Sequence, residues 1–227
     1  MADQDAEQLI ITALRKGDCN SADKLLAKLQ RLAPDSVRVQ RISAKVAGAK
    51  GDIDNALNIC RDILLTDPAD LLTWKTLISL ERGSGRWTDA ISSLNEVLDM
   101  VPSDTSSWRE LSDLYMRQRQ FAYAAYAMEE IILLQPACYG SYLTYAELLA
   151  ADKRSMDQAR HYYAMSIELN PNHNARALYG LIKITRDSTN KKALAGELHE
   201  WALVRLLDLY RDRAPHLAKF PQSFAIR

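Results

Sequence analysis

Apolar side chains recur along this chain at helical spacing. In Trp108–Tyr115 the residues Trp108, Leu111, Leu114 and Tyr115 fall at i, i+3, i+6 and i+7, one stripe of an α-helix. A different pattern closes the chain. On a helical wheel over Leu194–Arg211, the residues Glu197, Glu200, Asp208 and Arg211 share one narrow face, interrupted by Val204. Leu194, Leu198, Trp201, Leu203, Leu206, Leu207, Leu209 and Tyr210 spread over the remaining arc of about 240°, whereas one-sided packing needs an apolar stripe of about 100°. The surplus at Trp201, Leu203, Leu206, Leu207 and Tyr210 is expected to meet a partner protein, with Phe220 and Phe224 of the tail covering part of it.

The stripes come with a clock. Pro34, Pro68, Pro102, Pro136 and Pro171 stand at intervals of 34, 34, 34 and 35 residues. Twelve residues before each stands an alanine: Ala22, Ala56, Ala90, Ala124 and Ala159. Trp74, Trp108 and Tyr142 keep the 34-residue interval too. An early aromatic, a mid-repeat alanine and a late proline at this period form the tetratricopeptide pattern. The aromatic fills the gap beside the second helix of a repeat. The alanine permits two helix backbones to approach closely. The proline opens the next helix, where its missing N–H is no loss.

The expected fold is all-α, a right-handed superhelical α-solenoid of tetratricopeptide repeats. Five repeats cover 3–36, 37–70, 71–104, 105–138 and 139–173, the last with one extra residue placed in the turn Ala151–Met156. A degenerate sixth unit, 174–213, has helices near Ala175–Arg186 and Lys191–Arg213 and completes a repeat domain over 1–213. Residues 214–227 read as an irregular tail.

Composition narrows the function. Lys plus Arg and Asp plus Glu both number 29, so there is no basic excess of the kind that displaces counterions from nucleic acid. No stretch approaches the roughly 20 apolar residues of a membrane span, and the start MADQDAEQLIITALRKGD has the form of neither a secretory signal nor a transit peptide. Cys19, Cys60 and Cys138 stand far apart with no CxxC pair, which suits a reducing compartment better than a disulfide framework or a zinc site. A soluble protein facing the cytosol is expected.

No catalytic constellation emerges. The eight glycines form no phosphate loop, and His161, His173, His199 and His216 lack metal-ligand spacing. The pair Glu129–Glu130 reads as a solvated helix edge, and Tyr139, Tyr142 and Tyr145 as core. The chain is expected to hold proteins without catalysis, cofactor, metal or small-molecule substrate.

In such arrays positions 2, 5, 9 and 12 of each repeat's first helix face an inner groove. These positions give Arg38, Arg41 and Lys45, then Lys75 and Arg82, then Arg109 and Met116, and finally Leu143, Leu178 and Ile182. The expected groove is basic in its first half and apolar in its second. A free-standing peptide-binding co-chaperone is the alternative. Its carboxylate clamp resembles Lys at position 5 with Asn at position 9, where this chain has Arg41 and Lys45.

Whole segments carry a more specific likeness. LAKLQRLAPDSVRVQRI (26–42), DIDNALNICRDILLTDPAD (52–70), WRELSDLYMRQRQFAYAAYAMEEIILLQP (108–136) and ARHYYAMSIELNPNHNARALYGL (159–181) together resemble subunit 2 of the endoplasmic reticulum membrane protein complex. The likeness departs at the start, where family members carry further N-terminal helical sequence, and in the loop Asp187–Lys192, which is short here. The resemblance implies a non-catalytic scaffold subunit, peripheral on the cytosolic face of the endoplasmic reticulum. Its repeats would cradle cytosolic segments of membrane subunits, with a second soluble subunit docking against it, in a complex that inserts transmembrane helices.

Overall fold

The computed structural model describes residues 2–151, 155–188 and 193–217. Twelve α-helices and no strand occur among them: α1 (Ala2–Arg15), α2 (Cys19–Leu32), α3 (Val37–Ala49), α4 (Ile53–Thr66), α5 (Leu71–Gly83), α6 (Trp87–Met100), α7 (Thr105–Arg117), α8 (Phe121–Leu134), α9 (Tyr139–Ala151), α10 (Met156–Leu169), α11 (Ala175–Ser188) and α12 (Ala193–Arg213). A 3₁₀ turn, Pro215–Leu217, follows the last. Phe220 and Phe224 of the tail, and Lys191 and Lys192 before α12, lie outside the described residues. The helices pair in chain order, and the chain divides into two compact units, Met1–Pro102 and Ser103–Arg227. Each unit holds three helix hairpins, and the division falls between the third repeat and the fourth.

The hairpins close in one way. Within α1–α8 each first helix ends in a residue of positive φ: Gly17, Gly51, Gly85 and Arg119, again at 34-residue intervals. There the amide of the following residue reaches back five positions, as Asp18 N to Ala13 O (2.9 Å), Asp52 N to Ala47 O (3.0 Å), Arg86 N to Glu81 O (2.9 Å) and Gln120 N to Tyr115 O (2.9 Å). This is the helix C-terminal motif in which a left-handed residue satisfies the last carbonyls.

First helices also share a start. The Asp70 carboxylate accepts from the amides of Leu72 and Thr73, Asp104 accepts from Ser106, and Asn174 Oδ1 accepts from Ala177. Each satisfies amides that have no partner inside the helix.

The repeating alanines do what the spacing requires. Ala22, Ala56, Ala90, Ala124 and Ala159 are each 0 % exposed. The α7–α8 crossing is close enough for the Ser112 hydroxyl to donate to the Ala124 carbonyl at 3.0 Å. The aromatics brace neighbouring elements. Trp74 Nε1 donates to the Pro68 carbonyl at 2.8 Å, and the Trp108 ring meets Tyr126 edge-on at 6.0 Å. Each fully buried leucine or isoleucine in such a core contributes about 1.5–3 kcal/mol. The second unit packs these side chains as a continuous cluster from Ala124 and Met128 through Leu181 to Leu206.

Candidate partner-binding surface

In the first unit, positions 2, 5, 9 and 12 of the first helices carry Glu7 on α1, Arg38, Arg41 and Lys45 on α3, and Lys75 and Arg82 on α5. They are not a row of open cations. Arg38 pairs with Glu7. Arg41 is largely buried, with Nη2 2.9 Å from the Asp70 carboxylate and Nε donating to the Thr73 hydroxyl at 3.0 Å. Asp70 at the same time caps α5. Burial pushes the Asp70 carboxyl up, but the Thr73 hydroxyl and Arg41 outweigh it and hold the group below its ordinary value. Arg41 therefore fastens α3 to α5, and Arg38 fastens α3 to α1. The expected role of Arg41 in meeting a partner is corrected to a structural one, while Arg38 stays about half exposed. Lys45 is half-buried, Lys75 exposed and Arg82 half-buried.

One carboxylate nearby was invisible in the sequence pattern. Glu81 of α5 is 2 % exposed and accepts from the Ser93 hydroxyl of α6 at 2.9 Å. Burial raises its pKa, and the Ser93 bond only partly counters that.

In the second unit the expected register fails by one residue. α11 begins 36 residues after α9, whereas α7 begins 34 after α5. One extra residue lies between α9 and α10. The second lies between α10 and α11, where Asn170–Asn174 replaces the usual four-residue connection. The interval to Pro171 records only the first. Counted from the Asn174 cap, positions 2, 5, 9 and 12 of α11 are Arg176, Tyr179, Lys183 and Arg186. Leu178 (0 % exposed) turns into the core, Leu143 of α9 is buried there as well, and the buried Ile182 borders the cavity beside α11. The expectation that Leu143 and Leu178 line an apolar groove is corrected: they hold the fold. Met116 packs half-buried against the same core, and Arg109 is exposed.

The shifted residues border a cavity of about 610 Å³ between α9 and α11. Its rim carries Glu147, Arg176, Lys183 and Arg186, and its walls Ala150, Met156, Tyr163, Tyr179 and Gly180. Arg176 Nε and Nη2 grip the two oxygens of Glu147 at 2.6 and 2.7 Å, tying α11 to α9 beside the cavity. Gly180 is required below it. A Cβ there would stand 2.3 Å from the Tyr163 ring, whose hydroxyl burial pushes up to about 12, so the ring is neutral throughout the physiological range. The site is an apolar bowl with three cations and one anion at its edge. Its volume lies within the range of pockets that grip a small ligand or a few side chains.

α12 is also corrected. Leu203 and Leu206 are buried with Ala202 in the core cluster that includes α11, and Leu207 and Tyr210 are half-buried. The Thr185 hydroxyl and His199 Nδ1, 3.0 Å apart, join the two helices, which makes His199 a packing residue. Part of the apolar arc thus packs against the core that includes α11. Among the described residues of the arc, Trp201 remains about half exposed, with Val204 beside the acidic face also open.

Among the described residues no three His, Cys, Asp or Glu side chains gather as a metal site, and no helix is long and apolar enough to cross a membrane. Burial pushes the Cys60 thiol up to about 11, leaving it protonated and unreactive.

Solved structures share this architecture at low identity. The crystal structure of YrrB, described as a TPR protein with an unusual peptide-binding site, superposes with a TM-score of 0.61 at 15% identity, over 87% of this chain and 97% of that one. A crystal structure of MamA gives 0.61 at 18% identity, over 79% and 94%. The fold is therefore that of the tetratricopeptide α-solenoids. Sequence relatives are more specific. ER membrane protein complex subunit 2-A of Xenopus laevis is 35% identical over 192 residues, which cover 83% of this chain and 64% of that protein. Subunit 2 of the same complex from Dictyostelium discoideum is 36% identical over 80 residues, 35% of this chain and 25% of that one. The chain thus spans less than two thirds of the length of these relatives. The EMC2 TPR-like repeat domain model matches residues 25–161, more than half of the sequence and across both units. On that match the chain belongs to the tetratricopeptide-like repeat family of ER membrane protein complex subunit 2.

Proposed function

We propose that this chain is a peripheral scaffold subunit of the ER membrane protein complex, on the cytosolic face, where it supports insertion of transmembrane helices by holding cytosolic segments of membrane subunits. The observation that carries this reading is the bowl between α9 and α11. Its apolar floor and cationic rim suit an extended segment with a bulky side chain and an acidic neighbour or terminus. Lys75 on α5 and Arg109 on α7 are exposed cations at position 5 of their repeats, the same inner position as Tyr179 in the bowl. Family membership supplies the setting, and the absence of a spanning helix among the described residues fits attachment through partners.

The test is a paired substitution, Ala150→Phe with Lys183→Glu, which fills the bowl and reverses one rim charge without touching the Glu147–Arg176 pair. Purified from detergent-solubilised endoplasmic reticulum membranes, the variant is expected to lose membrane subunits of the complex that accompany the wild type. Recovery of the full set would refute the assignment of this bowl.

A further inference from the structure

The outer faces of the second helices provide an internal control, because five repeats place equivalent positions on them. Where α8 has Tyr123, the other repeats have Ser21, Asn55, Asp89 and Gln158. Where it has Tyr126, they have Lys24, Asn58, Ser92 and His161. In those repeats the equivalents of Tyr123 and Tyr126 are polar or charged, and the exposed apolar residues stand only at the helix ends, Leu32, Leu65, Met100 and Leu169. The α8 face is different. Tyr123 is 61 % exposed, Tyr126 53 % and Leu133 75 %, with Leu134 beside them.

These rings are held in place and do not swing freely. Tyr123 stacks on Tyr115 at 5.3 Å, and Tyr126 meets the edge of Trp108 and hydrogen-bonds Glu130. Tyr145 of the adjoining α9 donates to Glu129. Exposed aromatics already fixed by packing lose little entropy when covered, which is why tyrosine is enriched at binding hot spots.

Charge selects the occupant. Glu129 and Glu130 are the only charged side chains of α8, which contains no lysine or arginine. We propose that the outer face of α8, through Tyr123, Tyr126 and Leu133 with Glu129 and Glu130 at their side, docks a protein helix whose apolar stripe is flanked by lysine or arginine. An acidic face is repelled by anionic lipid headgroups, so a membrane surface is disfavoured. The site is independent of the bowl, whose rim favours the opposite charge.

Two labelled amphipathic peptides with the same leucine stripe, one flanked by lysine and one by glutamate, separate the two sites. The lysine-flanked peptide is expected to bind the full chain, and Tyr126→Ser with Leu133→Ser to weaken it at least about tenfold. Glu130→Lys alone should weaken it as well. Both variants should keep the wild-type melting curve and the wild-type affinity for the glutamate-flanked peptide. The proposal is overturned by absent or unchanged binding of the lysine-flanked peptide, by dimerisation of the wild type that these substitutions abolish, or by binding to phosphatidylserine vesicles that they abolish.

Discussion

The first unit keeps the repeat rule closely and the second departs from it. All three turns of the first unit place glycine at the left-handed position, Gly17, Gly51 and Gly85, while the equivalent residue of the second unit is Arg119 with φ 58°. In the first unit α4 and α6 carry polar side chains where α8 carries Tyr123 and Tyr126, and the inner cations Arg38 and Arg41 are paired with neighbouring helices. In the second, α8 shows tyrosines to solvent, two extra residues shift α11, and a bowl opens beside it. Regularity here accompanies structural duty. The irregularities gather at the exposed rings of α8 and beside the bowl.

Paired substitutions sharpen that contrast. The largest effect is expected at the two close-packed helix glycines. A Cβ at Gly180 meets the body of the buried Tyr163 ring, and a Cβ at Gly48 clashes only with the flexible tip of Leu80. Gly180→Val should cost about 3 kcal/mol, the upper end for overpacking. Gly48→Ala should be near neutral, because an alanine gains about 1 kcal/mol of helix propensity while Leu80 rotates away. Equal losses in urea denaturation would erase the distinction.

Next come the arginines. Arg41→Ala removes two charge-assisted bonds in a largely buried corner and leaves Asp70 short of partners, a loss of about 2 kcal/mol. Arg176 is mostly exposed, and its alanine variant should cost under about 0.5 kcal/mol despite ideal geometry with Glu147. Thermal melts of the two variants give the order directly.

Arg119→Gly should stabilise the second unit by about 1 kcal/mol, since a side chain in left-handed backbone costs that much. The same experiment in reverse, Gly85→Arg, should destabilise the first.

The smallest effect is electrostatic. Burial raises the Glu81 pKa in the folded chain, so the folded state holds this proton more tightly than the unfolded one. Its contribution is therefore fully present below the ordinary glutamate range and is lost as pH rises through the raised value. Glu81→Gln should be slightly more stable than wild type at neutral pH, with the advantage vanishing in acid. An advantage that persisted at acid pH would assign the effect to something other than the charge.

Much of the fold is legible from proline, alanine and aromatic spacing, because each marks a backbone constraint that recurs every repeat. The inner surface of α11 is not, because a proline clock reads the chain only as far as Pro171. The fifth residue of Asn170–Asn174 comes after it. A second clock was present: Asp70, Asp104 and Asn174 each cap a first helix, and counting from caps places Arg176, Tyr179, Lys183 and Arg186 in the inner row. The ties at Arg38 and Arg41 depend on residues about 30 positions away, which no local pattern shows. The breadth of apolar positions on α12 was real, but Leu203 and Leu206 are buried in the core that includes α11, and a wheel cannot know how much a neighbour covers.

The central claim, that the inner face at the bowl grips cytosolic segments of membrane subunits, is tested most directly by site-specific photo-crosslinking in cells. A crosslinking residue at Lys183 is expected to give a covalent adduct with a membrane subunit of the complex, and one at Asn58, on the outer face of α4, is expected to give none. Adducts to no membrane subunit from Lys183, or equal adducts from Asn58, would contradict it.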